Sequence, residues 1–242
     1  MKVIYEPKGK AGEYSELAIN LYSGCSHACI YCYCPAIMRT NMKEWSRNPH
    51  PRTGILSTLE KDAKKMKGET RQVLLSFMSD PYHFGGKRSQ ELTRQALLIL
   101  EKYKFKNVTV LTKGGMDSVG DFDVLKRNHW SYGTTISFLS EKLREKWEPN
   151  AAPIEHRISA LKLAREKGIK NWVSVEPVID ADETLAMIKE LIPFVDFWKI
   201  GKMNHNKKIE EKIDWAEFLK DVKMVLKGQK YYLKKDLLKF AD

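Results

Sequence analysis

The sequence has no cysteine after position 34, and its four cysteines all lie within ten residues. A disulfide framework spread over the 242 residues is therefore excluded, and clustered cysteines of this kind are typical of metal binding. The chain also lacks an apolar run long enough to cross a bilayer, and residues 1–7 lack the apolar core of a signal peptide. These absences predict a soluble, cytoplasmic protein with no membrane partner.

Internal repeats, low-complexity tracts and long linkers are missing as well. A chain of this length can bury one sizeable core, and α/β barrels of similar size commonly form a single domain. We therefore expect residues 1–204 to form one barrel domain. Residues 205–242 are expected to add a basic C-terminal helix and tail that pack on the same domain.

Basic side chains outnumber acidic ones, 42 to 31, which gives a net charge of +11. Such an excess favours attraction to a polyanion and makes nucleic acid a candidate partner. Much of the excess is lysine on predicted helices, where a solvated helix face explains it equally well.

Three cysteines form the most informative pattern in the chain. Cys25, Cys29 and Cys32 place three thiolates on one short loop, one fewer than the four that normally hold an iron–sulfur cube. A cube held by three cysteines keeps one iron open for chemistry. Cys34 follows closely, so a four-cysteine zinc site stays open as an alternative, although such sites usually draw on two separated pairs.

Strand-like and helix-like segments alternate along the chain. Apolar, β-branched runs predict six strands, at residues 17–22, 72–77, 108–112, 132–137, 172–175 and 197–200. Helical spacing predicts helices between them, at residues 56–67, 90–103, 119–126, 154–167, 183–191 and 215–226. This order predicts a parallel α/β sheet in the form of a partial (β/α)6 TIM-like barrel. Residues 41–54 are predicted to be an extended loop.

Polar side chains follow the predicted strands where each strand ends. In parallel α/β folds the functional groups gather at the carboxyl ends of the strands. The polar residues at these strand ends are Ser79, Asp80, Lys113, Ser137 and Glu176. Any one of them alone is explained equally well as a helix cap or a turn residue.

Residues 20–33 carry a C-x3-C-x2-C motif that resembles the signature of the radical S-adenosylmethionine (SAM) superfamily. Together with residues 79–82, 111–113 and 147–153, this segment looks like the spore photoproduct lyase-like branch, over about residues 13–204. The resemblance implies a partial barrel and a 4Fe-4S cluster on Cys25, Cys29 and Cys32. It also implies reduction of SAM to a 5′-deoxyadenosyl radical that abstracts a substrate hydrogen, with a reductant such as flavodoxin or ferredoxin.

SAM makes definite demands on a site, since its amino group needs acceptors, its carboxylate a cation and its adenine an apolar wall. Ser79 and Asp80 are candidates to accept from the amino group, and Lys113 to pair with the carboxylate. Ser137 is a candidate for the carboxylate or the ribose, and Tyr31 for the border of the adenine. In the family that the chain resembles, the residues matched by Ser79, Lys113 and Ser137 contact SAM.

One position departs from the lyase. The lyase has a hydrogen-donating cysteine two residues before the matched serine, whereas this chain has Phe77, which has no S–H bond. Reversal of thymine dimers by that route is therefore not expected. Cys34, Tyr33 and Tyr82 are alternative hydrogen donors, against the simpler interpretations of a buried apolar cysteine and packed tyrosines with satisfied hydroxyls. The role of Glu176 stays open between ribose contact, substrate contact and a structural ion pair.

The sequence therefore predicts a radical SAM enzyme of lyase or oxidoreductase type. Nucleic acid or a nucleotide is the first expectation for its substrate, ahead of a peptide or small metabolite. An iron–sulfur electron-transfer module and a zinc-dependent nucleic-acid-binding protein stay open as other classes. The tail from residue 199 has twelve lysines against seven acids, and it is interpreted either as a base-stacking surface or as a final helix followed by a short strand.

Overall fold

A computed structural model describes residues 2–83 and 87–241. The main feature of this part of the chain is a parallel sheet of seven strands curled into a half-barrel. A separate antiparallel ribbon has two strands. In chain order the strands are β1 Leu17–Ile19, β2 Tyr22–Ser23, β3 His50–Pro51, β4 Val73–Leu75, β5 Val108–Thr112, β6 Ser131–Thr135, β7 Lys170–Val178, β8 Trp198–Lys202 and β9 Tyr231–Leu233.

Helices connect these strands. They are α1 Cys34–Ile37, α2 Met42–Arg47, α3 Ile55–Lys65, α4 Lys87–Lys102, α5 Phe122–Arg127, α6 Glu141–Trp147, α7 Ile154–Glu166, α8 Ala181–Leu191, α9 Lys207–Lys212, α10 Trp215–Val225 and α11 Lys235–Leu238. Short 3₁₀ helices occur at Gly9–Glu13, Gly115–Asp121 and Ile192–Phe194. Within the described residues, none of the helices is both long enough and apolar enough to cross a bilayer.

The strand order in the main sheet is β1-β4-β5-β6-β7-β8-β9, and each neighbouring pair is parallel. Because the strands are parallel, their carboxyl ends lie at one edge of the sheet, and the loops that follow them share this edge. The predicted partial barrel is confirmed, with β9 as a seventh strand beyond the six predicted ones. In the tail, α10 precedes β9, which pairs with β8.

The convex face of the sheet carries the apolar core. Alternate residues of a strand point to opposite faces, and in β7 the outward Val173 and Val175 are fully buried in one of two apolar clusters. The other cluster surrounds β1, β4 and β5 and includes residues of α3 and α4. The concave face therefore accommodates polar side chains.

Trp172 illustrates the packing on the concave face. Its indole N–H donates to the Thr109 hydroxyl at 2.8 Å, so the ring crosses β6 at Gly133. A Cβ at Gly133 would lie 2.3 Å from a ring atom of Trp172. Glycine is therefore required at this position by the close approach of the indole.

The segment before β1 bridges the two edges of the half-barrel. Tyr5 pairs with Ala18 in β1, at one edge. At the other edge, the Tyr232 hydroxyl in β9 donates to the Glu13 carboxylate at 2.9 Å. The ammonium of Lys199 in β8 donates to the Tyr14 carbonyl at 2.6 Å. Residues 5–14 thus cover part of the open side of the barrel.

Residues 41–54 differ from the predicted loop, because they contain helix α2 and strand β3. The Asn41 side chain accepts from the Glu44 N–H at 2.9 Å and so caps the helix, while Trp45 is buried beneath it. The predicted strand over residues 17–22 is split as well. It ends at Ile19, and Tyr22–Ser23 pairs instead with His50–Pro51.

Candidate metal and cofactor site

The three-cysteine loop lies between β2 and α1, and two unusual backbone conformations shape it. Gly24 has a φ of 86°, and a Cβ there would lie 2.6 Å from the Trp45 carbonyl oxygen. Ala28 also has a positive φ, 52°. The Cys25 N–H donates to the Trp45 carbonyl at 3.2 Å. Helix α2 therefore packs directly against the start of the loop.

Residues 147–150 brace the loop from the other side. The Ile30 N–H donates to the Trp147 carbonyl at 2.9 Å, and the Asn150 N–H donates to the His27 carbonyl at 3.2 Å. The Asn150 side-chain amide donates to the Ser26 carbonyl at 2.9 Å. These bonds fix the backbone of the loop between its cysteines.

The cysteine thiols are partly or fully buried. Burial raises the pKa of Cys29 to about 12 and also raises the pKa of Cys25. Cys34 is buried, and its thiol lies 3.9 Å from the Phe77 carbonyl oxygen. A hydrogen bond from Cys34 lowers the pKa of Cys32 to about 7. Within the described residues, no three His, Cys, Asp or Glu side chains are arranged to share a single metal ion.

Two serine hydroxyls near the carboxyl ends of β4 and β6 are buried without a partner. Within the described residues, the Oγ atoms of Ser79 and Ser137 make no hydrogen bond, although both residues are over 90% buried. Because buried polar groups in native proteins are nearly always paired, these two hydroxyls are available to hydrogen-bond a ligand or water. Ser79 and Ser137 therefore fit the role that the sequence predicts for them.

Lys113 lies where β5 ends, close to the cysteine loop. Its ammonium is 5.7 Å from the centre of the Tyr31 ring. Burial lowers the pKa of Lys113, but nearby Cys29 and Glu148 raise it to a net value above the ordinary one. The side chain therefore stays cationic beside the loop, as a carboxylate ligand requires.

Both carboxylate oxygens of Asp80 accept hydrogen bonds from other groups of the protein. It accepts from the Thr112 hydroxyl and the Lys113 N–H, each at 2.6 Å, and from the Tyr82 N–H at 2.9 Å. The His27 ring lies 3.6 Å from the same carboxylate. Burial raises the pKa of Asp80, while His27, Thr112 and backbone N–H groups hold it below the ordinary value. The structure thus favours a positioning role for Asp80, because it ties the end of β5 to the loop after β4.

A buried ion pair that the sequence did not predict lies next to the cysteine loop. The Arg157 guanidinium and the Glu148 carboxylate are 2.5 Å apart and buried. Tyr31 donates its hydroxyl hydrogen to Glu148, and Arg157 donates to the Thr135 carbonyl at 3.2 Å. The pair therefore connects the cysteine loop to the end of β6. Its sequence signal is a charged residue, Arg157, on the apolar face of a predicted helix.

Glu176 lies in a different polar cluster. Its carboxylate pairs with the Lys234 ammonium at 2.9 Å and accepts from the Tyr14 hydroxyl at 2.5 Å. The Tyr14 hydroxyl also contacts the Ser174 hydroxyl at 2.8 Å. Of the three roles left open by the sequence, the structure shows the ion pair.

The three predicted hydrogen donors have different surroundings. Tyr82 is buried, and its hydroxyl donates to Asp121 at 2.8 Å, which favours a packed aromatic with a satisfied hydroxyl. Cys34 is buried against Phe77 and Cys32. Tyr33 is 44% exposed. Tyr33 is therefore the most open of the three candidates.

The family model of the radical SAM superfamily matches residues 19–195 of this chain. The chain is 29% identical over 193 residues to the uncharacterized protein MJ0683 of Methanocaldococcus jannaschii, covering 78% of this chain and 71% of that protein. It is 27% identical over 227 residues to the uncharacterized protein ORF301 of Acidianus two-tailed virus, covering 85% and 73%.

Solved structures share the fold. SuiB of Streptococcus suis bound to S-adenosylmethionine superposes with a TM-score of 0.66 at 14% identity, covering 91% of this chain and 51% of SuiB. This chain thus spans about half the length of SuiB. A double mutant of spore photoproduct lyase, with bound AdoMet and dinucleoside spore photoproduct, gives a TM-score of 0.68 at 13% identity and covers 96% and 78%.

Proposed function

This chain belongs to the radical SAM superfamily, and on that premise we propose that it binds a 4Fe-4S cluster at which SAM is reductively cleaved to a 5′-deoxyadenosyl radical that removes a hydrogen atom from a substrate. Membership of this superfamily identifies the protein as a radical SAM enzyme. The observation that carries the finer proposal is a pair of buried serine hydroxyls, Ser79 and Ser137, at the same strand edge as a three-cysteine loop; neither has a partner in the described part of the chain.

Three thiols are the proposed cluster ligands: Cys25, Cys29 and Cys32. A bound metal displaces the thiol protons and stabilises the thiolates. The raised pKa values of Cys25 and Cys29 without metal therefore do not prevent them from acting as ligands. The backbone bonds from Trp45 and Trp147 hold the loop in place before the ligand arrives. Cys34 lies against Phe77 and is not one of the proposed ligands. One iron of the cluster therefore keeps an open position.

Lys113 is the proposed partner of the SAM carboxylate. A buried cation beside the cysteine loop can make a charge-assisted hydrogen bond to a carboxylate. The backbone of Lys113 is held in place, because its N–H donates to Asp80 and its carbonyl accepts from the Ala152 N–H. Ser79 and Ser137 supply the remaining hydrogen bonds to SAM. Tyr31 carries the aromatic surface for the adenine, with its hydroxyl held by Glu148.

The proposed substrate is a nucleic acid or a nucleotide. The net charge of +11 supports this class, and so does the fold shared with a lyase whose solved complex contains a dinucleoside spore photoproduct. A peptide is the second candidate, because SuiB, which shares the fold, is solved with a precursor peptide. Tyr33 is the proposed hydrogen donor, since Cys34 and Tyr82 are buried in other contacts.

The test is anaerobic reconstitution with iron and sulfide, followed by dithionite, SAM and analysis for 5′-deoxyadenosine. We expect slow cleavage of SAM alone and faster cleavage with an oligonucleotide than with a peptide. A protein that binds the cluster but never yields 5′-deoxyadenosine would be an electron-transfer module. A colourless protein that contains zinc without sulfide would be a zinc-dependent binder, and either result would overturn the proposal.

A further inference from the structure

Three charged side chains lie together beside the cysteine loop: Lys113, Glu148 and Arg157. Glu148 and Arg157 are almost fully buried, and Lys113 is largely buried. Ala152 links the residues that carry the two cations, because its N–H donates to the Lys113 carbonyl at 3.0 Å and its carbonyl accepts from Arg157 Nε at 2.9 Å. The Tyr31 ring links the third, since its centre lies 5.7 Å from the Lys113 ammonium and its hydroxyl donates to Glu148.

The Lys113 ammonium has no anionic partner in this cluster. In the part of the chain that the structure describes, it makes neither an ion pair nor a hydrogen bond. The Asp80 carboxylate is close to the backbone of Lys113, but it already accepts the Thr112 hydroxyl and two backbone N–H groups. Glu148 is therefore the carboxylate that could pair with this ammonium instead of a ligand.

Arg157 holds the Glu148 carboxylate in another direction. One oxygen of Glu148 lies 2.5 Å from Arg157 Nη1, and the other accepts the Tyr31 hydroxyl. The guanidinium is itself fixed, because it donates to the Thr135 carbonyl at 3.2 Å as well as to Ala152. A buried carboxylate that loses its cation is strongly destabilised, so without Arg157 it would take the cation that remains in the cluster, Lys113.

We propose that Arg157 is a positioning residue: it keeps the Glu148 carboxylate away from Lys113, so that the Lys113 ammonium stays available for the carboxylate of SAM. The inference rests on the proposed function, since that function assigns Lys113 to this carboxylate. It gives the buried ion pair a role in ligand binding in addition to its part in the fold.

Direct contact between Arg157 and SAM is the alternative. Nη2 of Arg157 is buried and makes no hydrogen bond to any residue that the structure describes. The two roles predict different results for a protein in which Glu148 is neutral. A residue that acts through Glu148 is then no longer needed, whereas a residue that contacts SAM is still needed.

The experiment measures equilibrium binding of SAM to reconstituted protein with matched iron and sulfide content. The variants are Arg157→Met, Glu148→Gln and the two combined. Arg157→Met should bind SAM about tenfold more weakly, because Glu148 then occupies Lys113. Glu148→Gln and the double variant should bind SAM as tightly as the parent, since glutamine can replace both hydrogen bonds of Glu148 but carries no charge.

Two controls separate this effect from general damage to the site. Decarboxylated SAM lacks the group that Lys113 is proposed to bind, so its affinity should be equal in the parent and in Arg157→Met. Lys234→Met removes the cation of the other buried pair, with Glu176, and should lower stability without changing SAM affinity.

A double variant that binds SAM as weakly as Arg157→Met would overturn the inference and favour direct contact. Equal losses of affinity for SAM and decarboxylated SAM in Arg157→Met would also overturn it, because the damage would then be general. If Arg157→Met does not fold, the double variant decides, since it leaves no buried charge of this pair alone: parent-like affinity supports the inference, and weakened affinity overturns it. The proposed function survives all of these results, whereas a reconstituted parent that binds no SAM removes both.

Discussion

The two halves of the strand-end edge differ in how completely their polar groups are satisfied. Between β4 and β6, Ser79 and Ser137 are buried with no partner within the described residues. Between β7 and β9, Glu176 already holds Lys234 and the Tyr14 hydroxyl. A buried group without a partner costs stability that a bound ligand restores, whereas a paired group contributes to the fold before any ligand arrives. The first half therefore has buried hydroxyls available to a ligand, whereas the polar groups of the second half already stabilise the fold.

The largest effect expected on the first half comes from the cysteine loop. Cys29→Ala removes one of three proposed cluster ligands, and we expect loss of the cluster and of all 5′-deoxyadenosine. Cys34→Ala is the matched control, since that thiol lies against Phe77, and it should retain full iron and sulfide content. Iron and sulfide analysis with the visible spectrum checks both. Loss of the cluster in the Cys34 variant alone would reverse the assignment.

Lys113→Ala tests the charge on the first half. Loss of a charge-assisted hydrogen bond costs about 1.5–3 kcal/mol, so SAM affinity should fall about 10- to 100-fold while cluster content stays normal. Equilibrium binding of SAM to the reconstituted protein measures the change. Lys199→Ala, on the second half, is the control and should leave the affinity unchanged. A Lys113 variant that lacks the cluster would contradict the assigned role.

Glu176→Gln tests the second half. It leaves the ammonium of Lys234, which is 95% buried, without its carboxylate, so the free energy of unfolding should fall by about 1–3 kcal/mol with no change in SAM affinity. Thermal and denaturant unfolding measure it. Glu176→Gln combined with Lys234→Met should regain part of the loss. A drop in SAM affinity with unchanged stability would instead place Glu176 at the ligand.

The fold was largely predictable from the sequence, because strand and helix periodicity are local. The cysteine spacing is local too, and it predicted the ligand set now proposed. The second half was not predictable, since Tyr14, Glu176 and Lys234 are separated by 162 and 58 residues and no spacing rule brings them together. Helix α2 was missed because Pro49 and Pro51 suggested a loop, although both lie after the helix ends.

Lys199 gives the second half a dependence on pH. Burial, together with the nearby Lys234 cation, lowers the pKa of Lys199 to about 8 from 10.5. Between these two values the unfolded chain binds more protons than the folded one, so this residue makes stability rise with pH, by about 1–2 kcal/mol. In Lys199→Met this part of the rise should be absent. If the free energy of unfolding rises equally with pH in the parent and the variant from pH 7 to 10.5, the assignment is refuted.

The smallest expected effect separates an unpaired hydroxyl from a paired one within the first half. Ser137→Ala removes a hydroxyl that has no partner among the residues that the structure describes, so stability should stay equal or increase slightly, while SAM affinity falls by about 1 kcal/mol. Ser118→Ala is the matched control, since its hydroxyl donates to the Gly115 carbonyl at 2.6 Å, and it should lose stability without losing SAM affinity. If stability fell in the Ser137 variant and SAM affinity fell in the Ser118 variant, the distinction between an unpaired and a paired hydroxyl would be contradicted.

The central claim is that three cysteines leave one iron open for SAM. Electron paramagnetic resonance of the reduced, reconstituted protein tests it most directly, recorded with and without SAM. We predict that SAM changes the spectrum of the cluster in the parent protein, and that the change weakens in Lys113→Ala at matched SAM concentration. A spectrum that SAM leaves unaltered, with a fourth protein ligand on the cluster, would contradict the account.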